Sequence, residues 1–209
     1  MKHTPLFLLT LVAASAPAFA QSNSNNGGSK LSYDRISVGY SSNDGLKSTD
    51  LTATALIGSG LLVSGYYADA KGKGTLAGYS GKMTGFGLGY KFAVGPGDLI
   101  ATLAYAQGQF DSSTGVAQAE QTSYGLHYRQ ALSDSFEFSV GVDRASTDLG
   151  ALTIVGGYVY AGAETSNDTF FTVSARYNIT RNLDATVSYL FQSGSTGANT
   201  LGLSVGYNF

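Results

Sequence analysis

Near its carboxyl end the chain reads Gly202-Leu203-Ser204-Val205-Gly206, the G-x-S-x-G spacing of a nucleophile elbow. That motif delivers a serine hydroxyl only at a strand–turn–helix junction, with an acid and a histidine later in the chain. Here three residues remain after it, none a histidine, and the local pattern alternates as a strand does. No hydrolase chemistry follows. Gly85-Phe86-Gly87-Leu88-Gly89 is glycine-rich like a phosphate loop, but it lacks the G-x-G-x-x-G spacing and no helical pattern follows it. His127 is the only histidine beyond His3 and cysteine is absent, whereas zinc sites take several His or Cys ligands. With Ser123 and Arg129 on the same parity, His127 reads as a hydrogen-bonded filler of a polar interior. No catalytic residue, metal site, cofactor or enzyme activity is expected.

The charged residues say more. Folding the Ala131–Ser135 turn about Ser133 sets Arg129 across from Glu137, and folding the next turn about Thr180 sets Arg176 across from Asp184. Opposite charges facing each other across strands stabilise by roughly 0.2–1 kcal/mol. Arg35 and Lys91 fall at the same end with no partner assigned. Arg35, Lys91, His127, Arg129, Glu137, Arg176 and Asp184 are therefore expected to form an ionic belt that fixes register and narrows the interior.

The elements that must hold this belt are strands. The dominant period is two, and ten segments carry apolar or aromatic residues on one parity, from Ile36, Val38 and Tyr40 through Phe86, Leu88 and Tyr90 to Leu203, Val205, Tyr207 and Phe209. No Lys, Arg, Asp or Glu stands on that parity within the ten segments. The other parity holds the charges, including Asp50 and Asp143, among Gly, Ser and Thr. A charge on the lipid face of a barrel costs about 2–4 kcal/mol at mid-bilayer, and the lumen face tolerates it. Connections alternate between short (58–60, 94–97, 131–134, 180–182) and longer polar (43–48, 69–82, 108–120, 146–168, 192–199), the rule for periplasmic turns and outside loops. The fold class expected is all-β: a transmembrane antiparallel up-and-down β-barrel of ten strands, with eight or twelve as alternatives. Leu152–Ala161 reads either as a hairpin in an external loop or as an extra strand pair.

Composition agrees. Charged residues are 12% of the chain, against about 25% in soluble domains. A soluble β-sandwich would need many Lys and Glu on its solvent face. A net charge of −2 argues against nucleic acid as a partner. Lys2 and His3, the apolar run Leu6–Ala14 and Ala18-Phe19-Ala20 have the layout of a cleaved signal peptide over residues 1–20. Residues 21–30 (QSNSNNGGSK) read as a flexible polar tail. Residues 31–209 are then the barrel, exported to the outer membrane of a Gram-negative cell.

The last strand, TLGLSVGYNF, resembles that of outer-membrane β-barrel families, the small porin-like proteins in particular. Gly202, Val205, Tyr207 and the terminal Phe209 carry the likeness, with the glycine two residues earlier than in the family pattern. YNITRNLDATVSYLF is a second family-like stretch. The resemblance implies recognition by the barrel-assembly machinery and contact with outer-membrane lipid. Two functions stay open. Lumen glycines such as Gly39, Gly125, Gly141 and Gly206 would leave room for a narrow passive channel for ions or small solutes, with the surplus Arg35 and Lys91 favouring anions. The alternative is a non-conducting structural or surface-interaction barrel acting through its outer loops, chiefly 146–168.

Overall fold

The structure, a computed structural model, describes residues 20–21, 31–113, 115–155, 158–193 and 199–209. The expected leader and tail lie outside these residues, apart from Ala20–Gln21, which pairs in parallel with Ser32–Tyr33. Ten strands follow: β1 (Arg35–Ser42), β2 (Leu46–Ile57), β3 (Leu61–Gly72), β4 (Ser80–Val94), β5 (Gly97–Ser112), β6 (Gly115–Ala131), β7 (Phe136–Val155), β8 (Tyr158–Asn178), β9 (Leu183–Ser193) and β10 (Thr200–Asn208). Each pairs antiparallel with its neighbours in sequence, and β10 closes on β1 from Leu201↔Ser42 to Asn208↔Arg35. The barrel is closed, so it has no free edge.

Residues of the apolar parity all face outward. Val38, Phe86, Tyr124, Leu126, Leu203 and Val205 are each at least half exposed. A continuous exposed apolar wall of this kind is stable against lipid and not against water. The opposite parity fills the interior.

Two short turns depend on glycine in the left-handed region. Gly58 (φ +65°) turns β2 into β3, and Gly95 (φ +60°), followed by Pro96, turns β4 into β5 as a tight hairpin requires. Two others use a hydroxyl. Ser133 Oγ accepts the amides of Ser135 and Phe136 at 3.3 and 3.0 Å, and Thr180 Oγ1 accepts those of Asn182 and Leu183 at the same two distances.

The outside connections differ from expectation in one respect. Residues 108–120 and 146–168 are not loops. β5 and β6 stay paired up to Ser112↔Gly115, and β7 and β8 up to Val155↔Tyr158, so Leu152–Ala161 is the end of one long hairpin. The ladder persists because Phe110, Ala119 and Leu149 turn inward and pack with Tyr66 and Met83, giving the extension an apolar face.

Candidate functional site

The inward face is filled at both ends. At the end of the short turns, the chain entering β1 crosses the lumen. Leu31 and Tyr33, each 1% exposed, pack on Leu62 of β3 and Ile100 of β5. The Tyr33 hydroxyl donates to Asp98 Oδ2 at 2.6 Å. Lys91 Nζ stands 5.3 Å and the Arg129 guanidinium 4.9 Å from the centre of its ring, within the range of cation–π attraction. Burial pushes the Tyr33 phenol well above its ordinary pKa; the Arg129 charge acts the other way and the Asp98 contact adds to the rise. Asp34 then accepts the Leu56 amide at 2.8 Å, fixing the segment to β2. Leu31–Asp34 is a plug.

Around it runs a ring of charge. Arg129 Nη2 meets Glu137 Oε2 at 2.7 Å, and Arg176 Nη1 approaches the same oxygen at 3.6 Å. Arg176 Nε lies 3.8 Å from Asp184 Oδ1. Asp184 takes two hydrogen bonds from Arg35, from Nε at 3.0 Å and Nη2 at 2.7 Å, and a third from Asn208 Nδ2 at 2.9 Å. Lys91 Nζ stands 3.6 Å from Asp98 Oδ2. His127 Nε2 and Asp143 Oδ1 are 2.9 Å apart, just above the ring. The seven residues picked from parity thus share the inward face at one end. Sequence reasoning missed Asp98, Tyr33 and Leu31 as members of the same cluster.

Three details correct the sequence reading. First, Arg129 is not directly across from Glu137, nor Arg176 from Asp184. The register is Arg129↔Ser139, Ala131↔Glu137, Arg176↔Thr186 and Asn178↔Asp184. Ser133 and Thr180 cap the amides two and three residues on, so each hydroxyl opens its turn instead of forming the apex, and the ladder shifts by two. Both ion pairs are diagonal, and it is Glu137 and Arg176 that face each other directly. Second, Arg35 and Lys91 have carboxylate partners, Asp184 and Asp98, which removes the surplus from which an anion preference was argued. Third, the lumen glycines are not open space. A Cβ on Gly39 would meet the Asp50 carboxylate, one on Gly141 the His127 ring, one on Gly125 the Asp143 carboxylate, and one on Gly206 the Arg35 guanidinium. In the first three cases the glycine is the cross-strand partner of the side chain it accommodates. At each of these positions the glycine leaves the space that the polar side chain beside it fills.

The outer half of the lumen closes differently. Leu46, Tyr66, Met83, Phe110 and Leu149 form one buried cluster with Leu76, which a 3-10 turn at Gly74–Leu76 folds inward. The rings of Tyr66 and Phe110 occupy the space a side chain on Gly85 or Gly81 would take. Between the two closures, Ser123, His127, Ser139, Ser174 and Ser188 are half-buried. Among the described residues no three His, Asp or Glu side chains converge as metal ligands would.

The C-terminal strand lies against β1. Gly202 faces inward opposite Ser188, while Val205, Tyr207 and Phe209 are exposed on the outer wall. The rings of Tyr207 and Phe209 meet edge to face with centroids 5.8 Å apart, and the Phe209 amide donates to the Asp34 carbonyl at 3.2 Å.

No family model and no curated protein matches the sequence. Solved structures do resemble the fold. The translocator domain of the autotransporter NalP from Neisseria meningitidis aligns with a TM-score of 0.54 at 10% identity, over 98% of this chain and 95% of that one. The KdgM porin aligns with a TM-score of 0.44 at 11% identity, over 84% and 99% of the two chains. Neisserial surface protein A gives 0.43 at 12%, over 84% and 96%. With its closed ten-strand ladder, apolar outer band and inward-facing charges, the chain has the fold of the outer-membrane β-barrels.

Proposed function

We propose that this barrel is non-conducting as folded and serves to anchor and present the β-sheet formed outside the membrane by β5–β8. The observation that carries the reading is the double closure of the lumen: the Leu31–Asp34 plug with its ionic belt at one end, the Leu76–Tyr66–Phe110 cluster at the other. Strands of 16, 17, 20 and 21 residues in β5–β8 support it, since about 9–11 residues span a bilayer. The reading gives the outer wall outer-membrane lipid as its partner, gives Gly202, Val205, Tyr207 and Phe209 the barrel-assembly machinery, and assigns no reaction to the interior.

A passive channel for ions or small solutes is the second reading. The half-buried serines between the closures favour it, because that stretch of wall is polar and not fully packed. Planar-bilayer recordings of the purified full chain separate the two. Silent membranes containing verified folded barrel are expected. Stable unitary steps from the unmodified protein would establish a channel instead.

A further inference from the structure

The outer wall carries lysines where the apolar band ends. On β2 the outward positions run Leu51, Thr49, Lys47; on β3, Tyr67, Asp69, Lys71; on β4, Phe86, Thr84, Lys82. Each lysine therefore stands four residues beyond the last outward apolar residue of its strand. At about 3.4 Å per residue and about 40° of tilt, that is about 10 Å in height, the level of lipid headgroups on the side of the long connections. All three lysines are exposed.

The register brings them together. Lys47 pairs directly with Lys71, so their Cβ atoms are about 4.5–5.5 Å apart. Lys71 pairs with Ser80, which makes Lys82 its diagonal neighbour at about 7–8 Å. Asp69 lies directly across from Lys82 and from Thr49. Three lysines and one aspartate leave a charge of +2. Of the flanking groups, Lys73, bonded to Ser42 Oγ at 2.8 Å, and exposed Asp44 cancel, while exposed Asp111, directly across from Ser80 and diagonal to Lys82, lowers the excess to +1.

Like charges directly opposite each other destabilise a sheet, so the Lys47–Lys71 pair needs an anion between its ammonium groups. We infer that Lys47, Lys71 and Lys82 form a cradle for a phosphomonoester lipid headgroup in the outer leaflet. The charges are of opposite sign, since a phosphomonoester carries about −1.5 to −2 at neutral pH and presents three acceptor oxygens to the three ammonium groups. The position matches as well, because the acyl chains of a lipid held there lie along the wall at Leu51, Tyr67 and Phe86. This inference uses the orientation of the barrel and is independent of whether the lumen conducts.

The test uses the full chain in phosphatidylcholine vesicles with and without a minor fraction of phosphatidic acid. Lipid that stays with the protein is counted by native mass spectrometry after gentle extraction. The unmodified protein should retain phosphatidic acid and not its dephosphorylated analogue, diacylglycerol. The triple variant Lys47→Gln, Lys71→Gln, Lys82→Gln should hold it roughly a hundredfold more weakly, about fivefold per lysine. The variant Arg144→Gln, Arg181→Gln, which removes exposed cations elsewhere, should bind as the unmodified protein does. Equal retention of diacylglycerol by the unmodified protein would overturn the cradle without any variant. So would undiminished binding by the folded triple variant. Displacement of the lipid by inorganic phosphate at comparable concentration would make free phosphate the ligand and refute the assignment to lipid.

Discussion

Replacing Tyr33 by alanine should release the plug while leaving the barrel standing. The Tyr33 ring is buried against Leu31, Leu62 and Ile100, its hydroxyl is bonded to Asp98, and two cations face its ring. Truncating a buried aromatic to alanine costs about 3–5 kcal/mol. Because the residue precedes β1 and belongs to no barrel strand, that cost falls on docking of the Leu31–Asp34 segment and not on the ladder. It corresponds to roughly a hundred- to several-thousand-fold shift toward the undocked state. The chain contains no cysteine, so Ser32→Cys supplies a single thiol within the plug. In otherwise unmodified protein that thiol should react slowly with a membrane-impermeant maleimide, since Ser32 is buried. Adding Tyr33→Ala should accelerate labelling by at least a hundredfold. Tyr33→Phe keeps the ring and loses only the bond to Asp98, worth about 1.5–3 kcal/mol when the acceptor is charged, so its rate should be intermediate. Equal labelling rates in all three backgrounds, with the barrel folded, would refute Tyr33 as the anchor.

Glu137→Gln leaves Arg129 and Arg176 without their shared carboxylate; breaking a buried pair costs about 3–5 kcal/mol, and the urea midpoint should fall accordingly. Gly141→Val should displace the His127 ring and cost about 1–3 kcal/mol by overpacking, while Gly150→Val, where a Cβ meets nothing within 4 Å, should leave the midpoint unchanged. Deleting Phe209 should lower the yield of folded barrel in cells and leave refolding from urea into detergent nearly unaffected; equal loss in both would make its role structural instead of a recognition signal.

The outer wall was legible because lipid penalises charge residue by residue, so parity alone separates Val38 from Arg35 or Phe138 from Glu137. Membership of the ionic belt was legible for the same reason. Register was not. A two-residue period looks identical after a shift of two, and only the amide bonds of Ser133 and Thr180 decide where each turn is centred. The plug leaves a trace in the sequence: Leu31 and Tyr33 are apolar on the parity of Arg35, opposite to the apolar parity of β1. Leu62, Ile100, Tyr66 and Phe110 break the pattern in the same way, and all of them lie in the two closures. Apolar residues on the polar parity therefore mark what fills the lumen. The role of the glycines was hidden because a missing side chain implies a void until the neighbouring strand is known.

The pairing of glycine with charge across neighbouring strands has a consequence for assembly. Hydrophobic alternation rejects a strand that slips by one residue, because every side chain would change faces. A slip of two keeps every face correct and escapes that check. It does not escape the glycines: moving β7 by two along β6 takes Asp143 off Gly125 and His127 off Gly141, and sets Asp143 against Ser123 in one direction or against His127 in the other. The lumen wall thus distinguishes one even register from its neighbours, which apolar alternation alone does not do.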